Sequence, residues 1–153
     1  MTLAGIPGGW FSNEEQIFPR HAEFARHVVE QGGRIGIGGH GQLQGLGYHW
    51  ELWSVQSGGM STHDALRAAT ILGAEAIGLS ADLGSIEPGK LADLVVLEKN
   101  PLETIRNTTT IKYVMKNGRL YDGNTLNEVW TNPRTLPEPV WAKSTPAVNA
   151  GIR

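Results

Sequence analysis

The chain has 153 residues, of which 40% are apolar and 18% charged, and its formal charge is −2. That length suits one ordinary domain with a moderate core, and the near-neutral charge, without a Lys/Arg cluster, offers no footprint for nucleic acid. The absence of cysteine excludes disulfides, thiolate catalysis and cysteine-ligated metal. No apolar run approaches the roughly 18 residues needed to cross a bilayer, so neither nucleic acid nor membrane is an expected partner. The opening MTLAGIPGGW lacks the basic patch and apolar core of a signal peptide.

In chain order, SNEEQIFPRHAEFARHVVEQGG predicts a helix. Ser12 with Glu15 three residues on is a capping-box pattern, and Pro19 marks a kink or the true first turn. Ala22, Ala25, Val28 and Val29 form an apolar stripe that Gly32-Gly33 stop. RIGIGG then predicts a short strand, with Ile35 and Ile37 on one face and glycines leaving the other open to close approach. His40 stands where that strand ends.

A second helix over YHWELWSVQSGG carries Trp50 and Trp53 on one side as expected core. A third spans residues 61–79, with Ser61 as N-cap, Asp64 in the first turn and Leu66, Ala69, Leu72 and Ala76 at helical period. GSIEPGK predicts a turn on Pro88-Gly89, and LADLVVL (91–97) a strand buried on both faces. TIKYVMKNGRLYD predicts a hairpin about Asn117-Gly118, a pair favoured in type I′ turns. The prolines beyond, Pro133, Pro137, Pro139 and Pro146, suggest an extended arm. One strand cannot make a sheet, so the order helix, strand, helices, strands reads as the tail of something larger.

Several side chains invite chemistry. His40 has a titratable ring at a strand end and suits a metal ligand or an acid/base group; it equally suits a hydrogen-bonded loop residue. Gly36, Gly38 and Gly41 fit G-x-G-x-x-G, but the preceding strand is too short and QLQGLGY is a poor helix start, so a dinucleotide loop is disfavoured. Gln42 and Gln44 are candidate polar contacts. His49 and Glu51 could line a pocket but, two apart on a helix, would not converge on one atom. His21, His27 and His63 read as surface residues, Glu87 as solvated, and Lys90 and Asp93 as serving turn and strand geometry.

The stretch MSTHDALRAATILGAEAIGLSADLGSIEPGKLADLVVLEKNPLE, followed by IKYVMKNGRLY, resembles the C-terminal end of the amidohydrolase superfamily, in its imidazolonepropionase-like and prolidase-like branch. The specific part is G-S-I-x-P-G-K-x-A-D-L-V-V-L, from Gly84 to Leu97. The resemblance implies an α/β fold class: the C-terminal fragment of a metal-dependent (β/α)8 barrel, then strands of a small β-sandwich. Residues 1–80 would be the last βα units, 81–125 the sandwich segment and 126–153 the Pro-rich arm. RIGIGG would be the last barrel strand, with His40 at its C-terminal end, where such barrels carry their active sites.

The sequence also departs from the family. Family members typically carry Gly-Thr-Asp or Gly-Ser-Asp at this strand end, and the aspartate binds metal; here the residues are Gly38-Gly39-His40. The other family ligands lie upstream, in a region this sequence does not contain. The resemblance thus implies hydrolysis of C–N bonds (amide, cyclic amide or Xaa-Pro-like) in a complete enzyme holding a divalent metal, zinc by expectation. His40 would be catalytic and metal-binding, with Gln42 and His49 as contacts to a small-molecule or peptide-like substrate. This chain alone would bind no metal and be inactive. Its expected partner is a second copy or the missing N-terminal barrel half; the alternative is a non-catalytic subunit acting through association.

Overall fold

The computed structural model describes residues 17–40, 43 and 45–138. Helix α1 (Ile17–Glu30) buries Ala22 and lays Ala25 and Val29 on the core, so the expected stripe faces inward. Pro19 falls in its first turn, where a missing N–H is harmless. Gly32, at φ 79°, and Gly33, whose amide donates to the Val28 carbonyl at 2.8 Å, end the helix. The capping pair Ser12 and Glu15 lies outside the described residues.

Helix α2 (Leu46–Ser57) runs alongside α1 and inserts Leu52, 2% exposed, into a cluster with Met60, Ala65 and Ile105. Its end crosses α1 tightly. A Cβ at Gly58 would stand 2.2 Å from the Ala22 carbonyl carbon, so only glycine fits there. Trp53 packs on the cluster, but Trp50 is 44% exposed, which corrects the expectation that both are core. The two are three positions apart, yet the inward stripe centres on Leu52 and leaves Trp50 at its edge.

The expected single helix over 61–79 is two: α3 (Thr62–Ala68) and α4 (Ile71–Ala76). Ser61 caps α3 as read, its hydroxyl accepting the Asp64 amide at 3.0 Å. The break comes at Thr70, whose backbone is non-helical (φ −133°, ψ −99°) and whose hydroxyl donates to the Leu66 carbonyl at 2.7 Å. Such back-bonding competes with the helix ladder. The interruption shifts the phase of the buried face, which is Ala65, Ala68, Leu72 and Ala74.

Beyond the Pro88-Gly89 turn, where Gly89 has φ 93°, lie strands β1 (Leu94–Leu97), β2 (Ile111–Lys116), β3 (Arg119–Asp122) and β4 (Glu128–Trp130). They form one antiparallel sheet in sequence order, so the 91–97 segment and the hairpin share a sheet as expected. Asn117 and Gly118, at φ 48° and 78°, make the type I′ turn. Asp93 fastens that turn to β1 by accepting the Asn117 amide at 2.7 Å and pairing with Lys116. Lys90 meets Ser85 at 2.5 Å and Glu87 at 3.3 Å within its own turn. Both residues thus serve local geometry, as read.

Two expectations about this region change. β1 is not buried on both faces, because Val95 and Val96, which point to opposite sides, are 58% and 40% exposed. β1 is an edge strand, and burying both its faces would need a packed layer on each side. The supposed arm also begins as structure. β4 joins the sheet, and Glu128, buried, bridges Arg119 and Arg134. The 3-10 helix Ile105–Thr109 links the two halves, packing on α2 through Ile105 and preceding β2.

Candidate active site

Residues 33–40 run alongside the helices with exposure alternating at period two. Ile35 and Ile37 turn toward the core cluster, while Arg34, Gly36, Gly38 and His40 face outward. The expected two-faced pattern is present, but the segment is not a strand. A strand requires a neighbouring chain for its backbone groups, and among the described residues none pairs with Arg34–Ile37. Gly36 lies against α4, where a Cβ would stand 3.4 Å from the Gly73 Cα.

The far end of the segment is held by one carboxylate. Glu51, projecting from α2, accepts the Gly38 amide at 3.1 Å and the Gly39 amide on its second oxygen. Gly39 has φ 52°, and a Cβ there would meet the Tyr48 Cα at 3.0 Å, so the turn needs glycine twice over. Tyr48 is itself anchored, its hydroxyl donating to the Ala69 carbonyl at 3.0 Å. Burial, with the Glu51 charge second, pushes that phenol above its ordinary range and keeps it a donor. His40 follows directly, exposed to solvent.

This arrangement bears on the G-x-G-x-x-G pattern. A phosphate-binding loop offers its free amides to an anion. Here the Gly38 and Gly39 amides are already taken by Glu51, and the described strands are all antiparallel. Both features oppose a dinucleotide site.

His49 lies elsewhere. Its Nδ1 is 3.1 Å from the Thr108 hydroxyl, and its ring centroid is 6.0 Å from that of Trp53. The Trp53 indole N–H donates to both the Thr108 hydroxyl and the Ile105 carbonyl, each at 3.1 Å, while the Arg106 guanidinium stacks 4.1 Å from the indole centroid. Thr108 in turn donates to Ile105 at 2.8 Å, so His49 Nδ1 must carry the proton in their contact. Burial lowers the His49 pKa and favours the neutral ring. His49 and Glu51 therefore do not converge, as read, but neither is simply solvated; each ties α2 to a different neighbour.

Gln42 and Gln44 lie outside the described residues. His21, His27 and His63 are exposed, as expected, and His27 pairs with Glu30 on its own helix. Among the described residues no group of three or more His, Asp or Glu side chains converges to hold a metal ion. The described residues by themselves therefore do not fit a divalent metal, which needs about four ligands, or three and water. Sequence reading missed Glu51 as the holder of the glycine turn. A carboxylate about a dozen residues after a glycine pair gives no periodic signal.

The amidohydrolase family matches residues 25–121. Among curated relatives, a 5-methylthioadenosine/S-adenosylhomocysteine deaminase of Teredinibacter turnerae is 33% identical over 87 residues, covering 50% of this chain and 20% of that one. An imidazolonepropionase of Shouchella clausii is 35% identical over 95 residues, covering 55% and 21%. Among solved structures, a Xaa-Pro dipeptidase with methionine bound in its active site superposes with a TM-score of 0.60 at 34% identity, covering 69% of this chain and 26% of that one. The ochratoxinase of Aspergillus niger gives 0.57 at 30% identity, covering 67% and 25%. The chain thus spans about a fifth of the length of these curated relatives. It belongs to the amidohydrolase family, in the imidazolonepropionase-like and prolidase-like branch.

Proposed function

We propose that this chain is the C-terminal part of a metal-dependent hydrolase of carbon–nitrogen bonds, supplying the last βα units of a (β/α)8 barrel and strands of a small β-sandwich. The observation that carries the reading is the 33–40 segment. It is patterned as a strand, lacks a backbone partner among the described residues and ends in an exposed imidazole. In a barrel of parallel strands it would find neighbours on both edges, and His40 would stand at the catalytic mouth. The named relatives act at C–N bonds of small or peptide-like molecules, which supports that substrate class.

In this reading His40 is the chain's contribution to the site, as a donor to zinc or a proton acceptor, with Gln42 as a candidate substrate contact; His49, expected from the sequence as another, is engaged instead by Thr108 at the α2 joint. The remaining ligands come from the N-terminal barrel half. The chain alone then binds zinc weakly or not at all and hydrolyses no amide. Elemental analysis and amidase assays of the purified chain, with and without a co-expressed N-terminal amidohydrolase segment, test this. Activity appearing only in the pair, and lost in His40→Ala, supports it; stoichiometric zinc in the isolated chain, unaffected by His40→Ala, overturns it.

A second reading is non-catalytic association with another copy. Exposed Phe24, Trp50, Val95 and Val96, together with the unpaired segment, favour it. Light scattering that returns a monomer at every concentration would refute self-association.

A further inference from the structure

We propose that Glu51 is a positioning residue, whose carboxylate grips the two amides preceding His40 and sets the direction in which the imidazole leaves the extended segment. The proposal rests on the reading of His40 as the site residue and adds what fixes that residue in place.

The argument starts from chain freedom. Gly38 and Gly39 have no side chains to restrict them, and a Cβ at Gly38 would meet nothing within 4 Å. Packing therefore does not hold Gly38. Glycine pairs sample more backbone conformations than any other sequence, so a histidine attached to them would sweep a wide arc. Backbone pairing does not restrain the segment either, because no such bond engages Arg34–Ile37 among the described residues. Two contacts to Gly38 and Gly39 remain among the described residues. Tyr48 closes one side of Gly39, and Glu51 takes both successive N–H groups, one on each oxygen.

The geometry is specific to a carboxylate. Two acceptor oxygens on one planar group match two neighbouring amides, and the negative charge strengthens both bonds. A glutamine at the same position retains one acceptor oxygen and presents an NH2 where the second N–H expects a lone pair. The support is rigid as well: Glu51 lies beside Leu52, the most deeply inserted residue of α2, so its backbone is fixed by the core. The Gly39 turn is thereby held by the same helix whose Tyr48 walls it.

The test uses the whole 153-residue chain, isotopically labelled, as wild type, Glu51→Gln and Glu51→Ala. Amide exchange at Gly38 and Gly39 should accelerate by about tenfold or more in Glu51→Ala, with Glu51→Gln between it and wild type. The relaxation order parameter of the His40 amide should fall in the same sequence. The Ala65 amide, bonded to the Ser61 carbonyl at 2.9 Å, should keep its exchange rate, and the urea midpoint of Glu51→Gln should stay near wild type. Unchanged exchange at both glycines, or an equal acceleration throughout α2 and α3, overturns the proposal. Should Glu51→Ala fail to fold, Glu51→Gln decides alone. None of these readouts needs catalysis, so an inactive His40 would sink the functional reading and leave the role of Glu51 standing.

Discussion

The two halves of this protein satisfy their backbones differently. Residues 94–130 close their own ladder: β1 to β4 pair in sequence order, and the turn between β2 and β3 is tied back to Asp93 and to the Ala92 carbonyl. Residues 17–80 fold around one apolar cluster and leave the extended segment beside it without backbone partners among the described residues. A meander finds the partners for its inner ladders in its own neighbouring sequence, leaving only its two edges open. A strand destined for a parallel sheet depends on chain that lies far away, because parallel neighbours require long crossovers. The meander therefore pairs internally but keeps β1 and β4 as edges, with Val95 and Val96 exposed, while the extended segment of the helical half has no backbone partner among the described residues.

Leu52→Ala should break the comparison hardest. It empties the centre of the helical cluster and should cost about 2–5 kcal/mol. Helical circular dichroism should fall while amide protection across the Val114–Tyr121 pair persists; loss of both together would mean that the halves are one cooperative unit. Gly118→Ala attacks the other half. At φ 78° a Cβ is strained, and the sheet should lose about 1–2 kcal/mol, read as faster exchange at the hairpin with α2 unaffected. Trp53→Phe removes the indole donor shared by Ile105 and Thr108 at the joint between the halves. The loss should be about 1 kcal/mol in urea unfolding, and a larger one would show that the joint dominates both regions.

Acid should separate the halves more gently. An unfolded histidine protonates near pH 6.5, and burial lowers this for His49. The unfolded chain therefore gains protons first, and the His49 contribution is whole above about pH 6.5 and lost as pH falls through the lowered folded value. In the sheet, hydrogen bonds from Arg119 hold the Glu128 carboxyl below its ordinary 4.5, and Lys116 does the same for Asp93. Their stabilisation is present above the unfolded carboxyl values and goes only as pH drops below them. Near-ultraviolet signal from Trp53 should fade before hairpin protection does; simultaneous loss would contradict the assignment of His49 to the joint. Trp50→Ala should have the smallest effect, within about 0.5 kcal/mol on the isolated chain, because the side chain lies at the edge of the inward stripe and is nearly half exposed. A measurable drop in association by the same variant would locate an interface on α2.

Much of this protein followed from local signals. Ser61 caps a helix, Gly32-Gly33 end one and Asn117-Gly118 reverse a hairpin, each through backbone preferences within a few residues, while Gly84–Leu97 carries the family by resemblance. His40 was legible as a candidate for the same reason, standing at the end of an alternating Ile-Gly run. Other features required the tertiary structure. The break at Thr70, the exposure of Trp50 and of both faces of β1, and the strand at 128–130 depend on which surfaces find neighbours. β4 had a faint signal, a Gly123-Asn124 turn before Val129 and Trp130, but its buried Glu128 makes sense only between Arg119 and Arg134. Glu51 is the clearest case. Nothing in its flanking residues distinguishes it from a solvated helix carboxylate, and only the approach of two glycine amides from a separate segment makes it a clamp.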